Sequence, residues 1–168
     1  MEFVKVTLDD NDRIEMLSAL ASAIVKEHYD PILGAEQNDY MIEKFQSVKG
    51  ITEQLGHGYE YYLASEGESL VGFLGFYQRN EELYLSKLYL CKEHRGKGLS
   101  KKMLGFLVQK AGQMGLASIV LNVNKYNDSS IQAYKKLGFM KIGEEVNDIG
   151  HGYVMDDYVL EYKWGEVS

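Results

Sequence analysis

Apolar residues along the chain recur at two different periods, and the places where the period changes set the order of elements. Phe3, Val4, Val6 and Leu8 predict a short strand over Glu2–Leu8, and Asp9-Asp10 then offers side-chain oxygens to cap a helix. Ile14, Leu17, Leu20 or Ala21, Ile24 and Val25 follow at helical spacing. This helix is expected to break at Tyr29-Asp30-Pro31, because the residue before a proline is pushed out of helical geometry. Gly34 marks a turn. Tyr40, Met41, Phe45 and Val48 form a second helical stripe, and Ile51 and Leu55 leave room for a third short helix before Gly56-His57-Gly58.

The middle of the chain changes character. Tyr59–Ala64, Leu70–Tyr77 and Leu83–Leu90 are short aromatic and aliphatic runs separated by Glu66-Gly67-Glu68 and Arg79-Asn80-Glu81, which predicts a three-strand antiparallel meander. Helical spacing returns with Leu99, Met103, Leu104, Leu107, Val108, Ala111 and Met114 on one face, Lys101, Lys102, Gln109 and Lys110 on the other, and Gly115 at the end. Ser118–Asn124 alternates as a strand. Asn127 or Asp128 caps a short helix carrying Ile131, Ala133, Tyr134 and Leu137 up to Gly138. Phe139–Val146 and Tyr153–Trp164 complete the order β-α-α-β-β-β-α-β-α-β-β. With no repeat, low-complexity tract or linker, residues 1–168 are expected to form a single α+β domain.

Composition narrows the function classes. A chain of 168 residues needs no disulfide or metal to hold a core, and its single cysteine, Cys91, excludes a disulfide framework and a thiolate zinc cluster. The excess of 25 Asp+Glu over 18 Lys+Arg, a net charge of −7, argues against nucleic acid and anionic membranes as partners and favours a cationic substrate. MEFVKVTLDD has neither the basic nor the apolar region of a leader, and no stretch has the length of a membrane span, so a cytoplasmic location is expected. His28, His57, His94 and His151 lack ligand spacing, so no metal is expected.

The candidate chemistry lies in Leu88-Tyr89-Leu90-Cys91-Lys92-Glu93-His94-Arg95-Gly96-Lys97-Gly98-Leu99-Ser100, a strand followed by a basic glycine turn and the start of a helix. The first N–H groups of a helix have no intrahelical partner and sit at the positive end of its dipole, and glycine lets a phosphate approach that backbone. The bland alternative is a solvated strand-to-helix turn. Two better-known phosphate loops fail here: Gly98 follows Lys97 where a Walker loop needs Ser or Thr, and Lys101 stands where the dinucleotide fingerprint needs Gly.

Arg95-Gly96-Lys97-Gly98-Leu99-Ser100 resembles the Arg/Gln-x-x-Gly-x-Gly/Ala loop of the GCN5-related N-acetyltransferase (GNAT) superfamily, with Ser100 in place of Gly or Ala. About 30 residues on, Asn127-Asp128-Ser129-Ser130-Ile131-Gln132-Ala133-Tyr134-Lys135-Lys136-Leu137-Gly138-Phe139 resembles the family's Asn…Ala-x-Tyr…Gly-Phe helix. The resemblance implies a mixed central sheet of about seven strands, helices on both faces, and a splayed strand pair, here Leu83–Leu90 and Ser118–Asn124, that takes acetyl-CoA as cosubstrate without a metal. It implies that Leu88, Tyr89 and Leu90 hold the pantetheine arm, with the Leu88 N–H polarising the thioester carbonyl. Arg95 to Ser100 would take the pyrophosphate, and Asn127 would contact the pantetheine.

Within that resemblance Tyr134 is the catalytic candidate, since a phenol stays protonated at neutral pH and can supply the proton that a departing thiolate needs. Packing on the helical stripe is its other reading. Many relatives carry Glu where Ser86 stands, and Glu82, Glu27, His28 and Asp30 are unranked candidates for the base. Acceptor choice is expected to lie in segments 27–47 and 148–158, which are acidic and aromatic and resemble those of bacterial spermidine/spermine-type acetyltransferases. The expected acceptor is therefore a polyamine or other small cationic amine, met by direct attack. A protein N-terminus or lysine, or a non-catalytic acyl-CoA-binding module, are the alternatives. Exposed aromatics on the last strands would suit a homodimer.

Overall fold

A computed structural model describes residues 1–164. Seven strands are hydrogen-bonded in the order β1-β2-β3-β4-β5-β7-β6. They are β1 (Glu2–Val6), β2 (Glu60–Glu66), β3 (Ser69–Arg79), β4 (Glu82–Leu90), β5 (Ser118–Asn124), β6 (Met140–Gly150) and β7 (Tyr153–Lys163). The helices are α1 (Asn11–Leu33), α2 (Ala35–Phe45), α3 (Val48–Gly56), α4 (Leu99–Gln113) and α5 (Asp128–Leu137). The sheet is mixed: β1–β2, β2–β3, β5–β7 and β6–β7 pair antiparallel, whereas β4–β5 is parallel. This is the α+β arrangement expected, with α3 added to the predicted order. The chain falls into two compact units, one of Met1–Tyr77 with Lys87–Leu99, the other of Gln78–Ser86 with Ser100 onward.

In the first unit Asp10 caps α1 by accepting from the Arg13 N–H at 3.1 Å. Ile14, Leu17, Ala21 and Ile24 join Val6, Ile51, Tyr61, Leu63 and Phe73 in one buried cluster, so α1, α3 and strands β1 to β3 share a core. The expected break at Tyr29-Asp30-Pro31 is overturned, because α1 continues to Leu33. Proline removes one N–H within the last turn, where little of the ladder remains to lose. Asp30 is held there by Asn38 Nδ2 at 2.8 Å and Lys26 Nζ at 3.0 Å, and its carbonyl accepts from Gly34 N–H at 2.9 Å. Asn38 is buried and also donates to Val25 O at 3.1 Å, fastening α2 to α1. β1 stops at Val6 and leaves Leu8 exposed, and Val48 opens α3 rather than extending α2.

In the second unit α4 buries Met103, Leu104, Leu107 and Ala111, while β5 and β7 bury Ile119, Leu121, Val123 and Leu160. Asn127, of the two candidate caps, accepts from Ser130 N–H at 3.4 Å, and Gly138 ends α5 in the left-handed conformation at φ 108°. Phe139 then packs edge-on to Tyr134 and tilted against Tyr162, at centroid distances of 5.3 and 5.5 Å, and anchors α5 to β7. The expectation of exposed aromatics on the last strands is also corrected. Tyr153, Tyr158 and Tyr162 are half-buried, and the exposed large side chains there are aliphatic: Met140, Ile142, Val146 and Val154.

Candidate active site

Burial alternates along β4, with Leu83, Leu85 and Lys87 buried and Tyr84, Ser86 and Leu88 half-buried, until Leu88 and Tyr89 become two half-buried neighbours before buried Leu90. Gly72 of β3 accommodates this irregular stretch. A Cβ there would lie 2.1 Å from the Tyr89 carbonyl oxygen, so only glycine lets the two backbones lie this close. The Tyr89 ring packs on Phe73 at 5.4 Å and Tyr29 at 6.4 Å, and Cys91 N–H donates to Val71 O at 2.8 Å. Burial, the largest cause, raises the Cys91 thiol above its ordinary value, which keeps it protonated and poorly nucleophilic.

A short 3₁₀ turn, Lys92–His94, leads into Arg95 to Gly98. Gly96 and Gly98 both have φ of +76° and nothing within 4 Å where a side chain would begin, so the turn needs glycine and leaves its backbone open. α4 starts directly afterwards at Leu99. The Arg95 side chain is turned partly inward: Nε donates to Leu90 O at 3.0 Å, and Nη1 lies 3.8 Å from Glu27. Arg95, Gly96, Lys97 and Gly98 are all exposed.

Next to the predicted tripeptide lies a polar network that the periodicity concealed. Lys87 is 7% exposed, and its Nζ donates to Phe45 O at 3.0 Å, Gln46 Oε1 at 3.0 Å and the Tyr61 hydroxyl, with Gln54 Oε1 further off at 3.4 Å. Tyr61 in turn donates to Gln54 Oε1, and the carbonyl of Gln46 accepts from Ser18 Oγ at 2.6 Å. Burial lowers the lysine from its ordinary 10.5 to about 7. β4 is thereby tied to β2, to α3, to the α2–α3 corner and, through Ser18, to α1.

Leu88 through Leu99 belong to the first unit; Ser100, Asn127 and Tyr134 belong to the second. Asn127 is 1% exposed and commits its oxygen to capping α5. Tyr134 is half-buried, edge-on to Phe139. Of the acidic residues in the predicted acceptor segments, Asp30 is matched by Lys26 and Asp156 by Lys125 at 2.8 Å. Among the described residues, a different group of carboxylates has no such cation at ion-pair distance. Asn122 of β5 donates Nδ2 to Glu145 Oε2 at 2.9 Å on β6, and lies 3.5 Å from Asp157 Oδ2 on β7. Asp157 is 3% exposed; burial first, then the charges of Asp156 and Glu145, push it up to about 6 despite the Asn122 contact and Lys125. The same amide contact holds Glu145 below its ordinary value. Sequence reasoning missed Gly72, Lys87, Asn122 and Glu145, and included Asp157 only as part of segment 148–158. Strand parity was the one available signal, since Lys87 shares the buried face of Leu83 and Leu85.

Mixed-sheet topology, a strand ending in a glycine turn at a helix start, and a capped Asn–Tyr helix define an acyltransferase-like fold. The chain belongs to the acetyltransferase (GNAT) family, which it matches over residues 22–139. N-acetyltransferase 8 of Rattus norvegicus is 28% identical over 98 residues, 55% of this chain and 44% of that protein. N-acetyltransferase 8B of Homo sapiens is 30% identical over 90 residues, 50% of this chain and 40% of that protein. The chain thus spans less than half the length of these curated relatives. Among solved structures, PaiA N-acetyltransferase from Thermoplasma acidophilum in complex with coenzyme A shares the fold with a TM-score of 0.74 at 20% identity, over 98% of this chain and 100% of that one. Spermidine N-acetyltransferase from Vibrio cholerae, in complex with CoA and spermine, does so at 0.63 and 17%, over 96% and 95%. Among the described residues, no helix is long and apolar enough to cross a membrane, and no three His, Cys, Asp or Glu converge on a metal site.

Proposed function

We propose that this chain is an acetyl-CoA-dependent N-acetyltransferase that moves an acetyl group to a primary amine by direct attack, and that the acceptor is a polyamine or another small cationic amine. The observation that carries the cofactor half is the turn after β4: two glycines at positive φ, open on the side where a Cβ would stand, directly before the first turn of α4, where N–H groups have no intrahelical partner. These groups, with Lys97, would hold the pyrophosphate; Leu88, Tyr89 and Leu90 would hold the pantetheine arm, as family membership suggests. The acceptor half rests on the net charge of −7 and on the solved spermidine enzyme of like fold.

In the transfer, the amine nitrogen bonds to the thioester carbon, and the Leu88 N–H stabilises the oxyanion as it forms. The C–S bond then breaks, the amine sheds its surplus proton to solvent, and Tyr134 gives its phenolic proton to the sulfur, so CoA leaves as a thiol. Tyr134 regains a proton from water.

An amine panel read by free CoA release tests the proposal. Spermidine or spermine should support turnover that fades as salt is raised. Tight acetyl-CoA binding with no CoA release for any amine or peptide would overturn catalysis, and preference for an uncharged or anionic acceptor would overturn the substrate class.

A further inference from the structure

We infer that Asn122, Glu145 and Asp157 form the seat for a non-reacting ammonium group of the acceptor. The inference rests on the reading of the chain as an amine acetyltransferase. It starts from hydrogen bonding that the protein leaves incomplete. Asp157 Oδ1 and Asn122 Oδ1 are buried acceptors that receive no hydrogen bond, and unsatisfied buried acceptors are costly. Both belong to residues joined through one amide, whose Nδ2 faces Glu145 Oε2 at 2.9 Å and Asp157 Oδ2 at 3.5 Å. Two carboxyl groups therefore converge on one neutral side chain, and Glu145 Oε2 also faces Asn147 Nδ2 at 3.5 Å.

The surrounding charges leave room for one more cation. Lys125 is taken by Asp156 at 2.8 Å and Glu144 at 3.4 Å, and Arg79 stands 3.7 Å from Glu82. These two cations reach Asp157 and Glu145 only as longer-range charge. A primary ammonium matches what is missing, because it brings one positive charge and three N–H donors to carboxylate and amide oxygens. Glu145 and Asn122 are half-buried and Asp157 is nearly closed off, so the ligand meets Glu145 first and Asp157 supplies charge from behind.

Strand register gives the seat its place. Tyr84 of β4 is level with Val120 of β5, and two residues further along each strand stand Ser86 and Asn122. Asn124 and Glu145 both pair with Asp157, which puts the trio on one face of β5, β7 and β6. A chain with amines at both ends, rather than a monoamine, is the acceptor such a seat selects.

The test compares spermidine with a monoamine of similar length, using Glu145→Gln, Asp157→Asn and, as an equal charge change elsewhere, Glu2→Gln at the exposed start of β1. The seat predicts that KM for spermidine rises at least tenfold in the first two variants, with kcat within about threefold, monoamine KM unchanged and acetyl-CoA affinity unchanged. Glu2→Gln should leave spermidine KM alone. Wild-type turnover of spermidine combined with unchanged KM in both seat variants overturns the seat while the enzymatic reading stands. Equal losses for spermidine and the monoamine also overturn it, since they mark a general effect on the fold or chemistry. No turnover of any amine by the wild-type chain overturns the underlying reading itself.

Discussion

Replacing Gly72 by alanine should damage both the sheet and the cofactor strand. The added Cβ would lie 2.1 Å from Tyr89 O, 3.1 Å from Tyr89 C and 3.2 Å from Leu90 Cα, all backbone atoms that cannot rotate aside. Contacts between carbon and oxygen settle at about 3.0 Å or more, so β3 and β4 must part by roughly an ångström, stretching neighbours such as Cys91 N–H to Val71 O at 2.8 Å. Forcing one methyl into a packed site costs about 1–3 kcal/mol. For a chain of this size that corresponds to a fall in Tm of roughly 2–12 °C. Because the displaced carbonyl belongs to the proposed pantetheine-binding stretch, acetyl-CoA affinity should fall as well, and misplacement by an ångström can cost a factor of about 100 in rate. Gly105→Ala in α4 is the matched comparison. Nothing lies within 4 Å of its would-be Cβ, so alanine should stabilise by about 0.5–1 kcal/mol. Thermal melts and acetyl-CoA calorimetry on both variants decide the matter. A Gly72→Ala protein that melts and binds like wild type would refute the claim that β3 sets the path of β4 at Tyr89.

Three more expectations follow from the site. Gly98→Asp adds a strained left-handed residue and a negative charge to the proposed pyrophosphate turn, so acetyl-CoA binding should be lost in calorimetry; unchanged affinity would remove the turn from the site. Tyr134→Phe keeps the ring against Phe139 while removing the hydroxyl, and should lower the single-turnover rate about 10²–10⁴-fold with little change in stability or acetyl-CoA affinity. A wild-type single-turnover rate would return Tyr134 to packing alone. Lys87, held at about 7 when folded against 10.5 when unfolded, is protonated in the unfolded chain but largely neutral in the folded one between those values. Its contribution to stability should therefore rise with pH through that window, by up to about 5 kcal/mol, and level off below pH 7. Denaturant midpoints at pH 7 and 9.5 should show this rise in wild type and lose it in Lys87→Met; equal slopes in both would contradict the assignment.

Much of the fold was legible because periodicity reports burial directly. The Leu99–Met114 stripe and the Ser118–Asn124 alternation became α4 and β5, and Asp10 and Gly138 stand where capping chemistry places them. Pro31 misled because its local preference was outweighed by tertiary partners on Asp30, notably Asn38 from the next helix, which no local pattern contains. The glycine turn was readable since positive φ restricts the residue type. The acidic seat was not: Asn122, Glu145 and Asp157 lie on three strands, and strand order places β7 between β5 and β6 against their order in sequence. The acidic acceptor segments 27–47 and 148–158 include Asp30 and Asp156, and only geometry showed that lysines already hold them.

The network around Lys87 also has a direction. An ammonium carries three hydrogens, enough for Phe45 O, Gln46 Oε1 and the Tyr61 oxygen, which leaves the Tyr61 hydrogen for Gln54 Oε1. A neutral amine has two hydrogens and a lone pair. With both hydrogens on Phe45 and Gln46, the Tyr61 hydroxyl must turn about to donate to nitrogen, and Gln54 loses its donor. Gain or loss of one proton at the foot of Leu88 therefore reverses one hydroxyl and rewrites the bonding of an α3 glutamine, so the α2–α3 corner registers the protonation state of a side chain it hides from water.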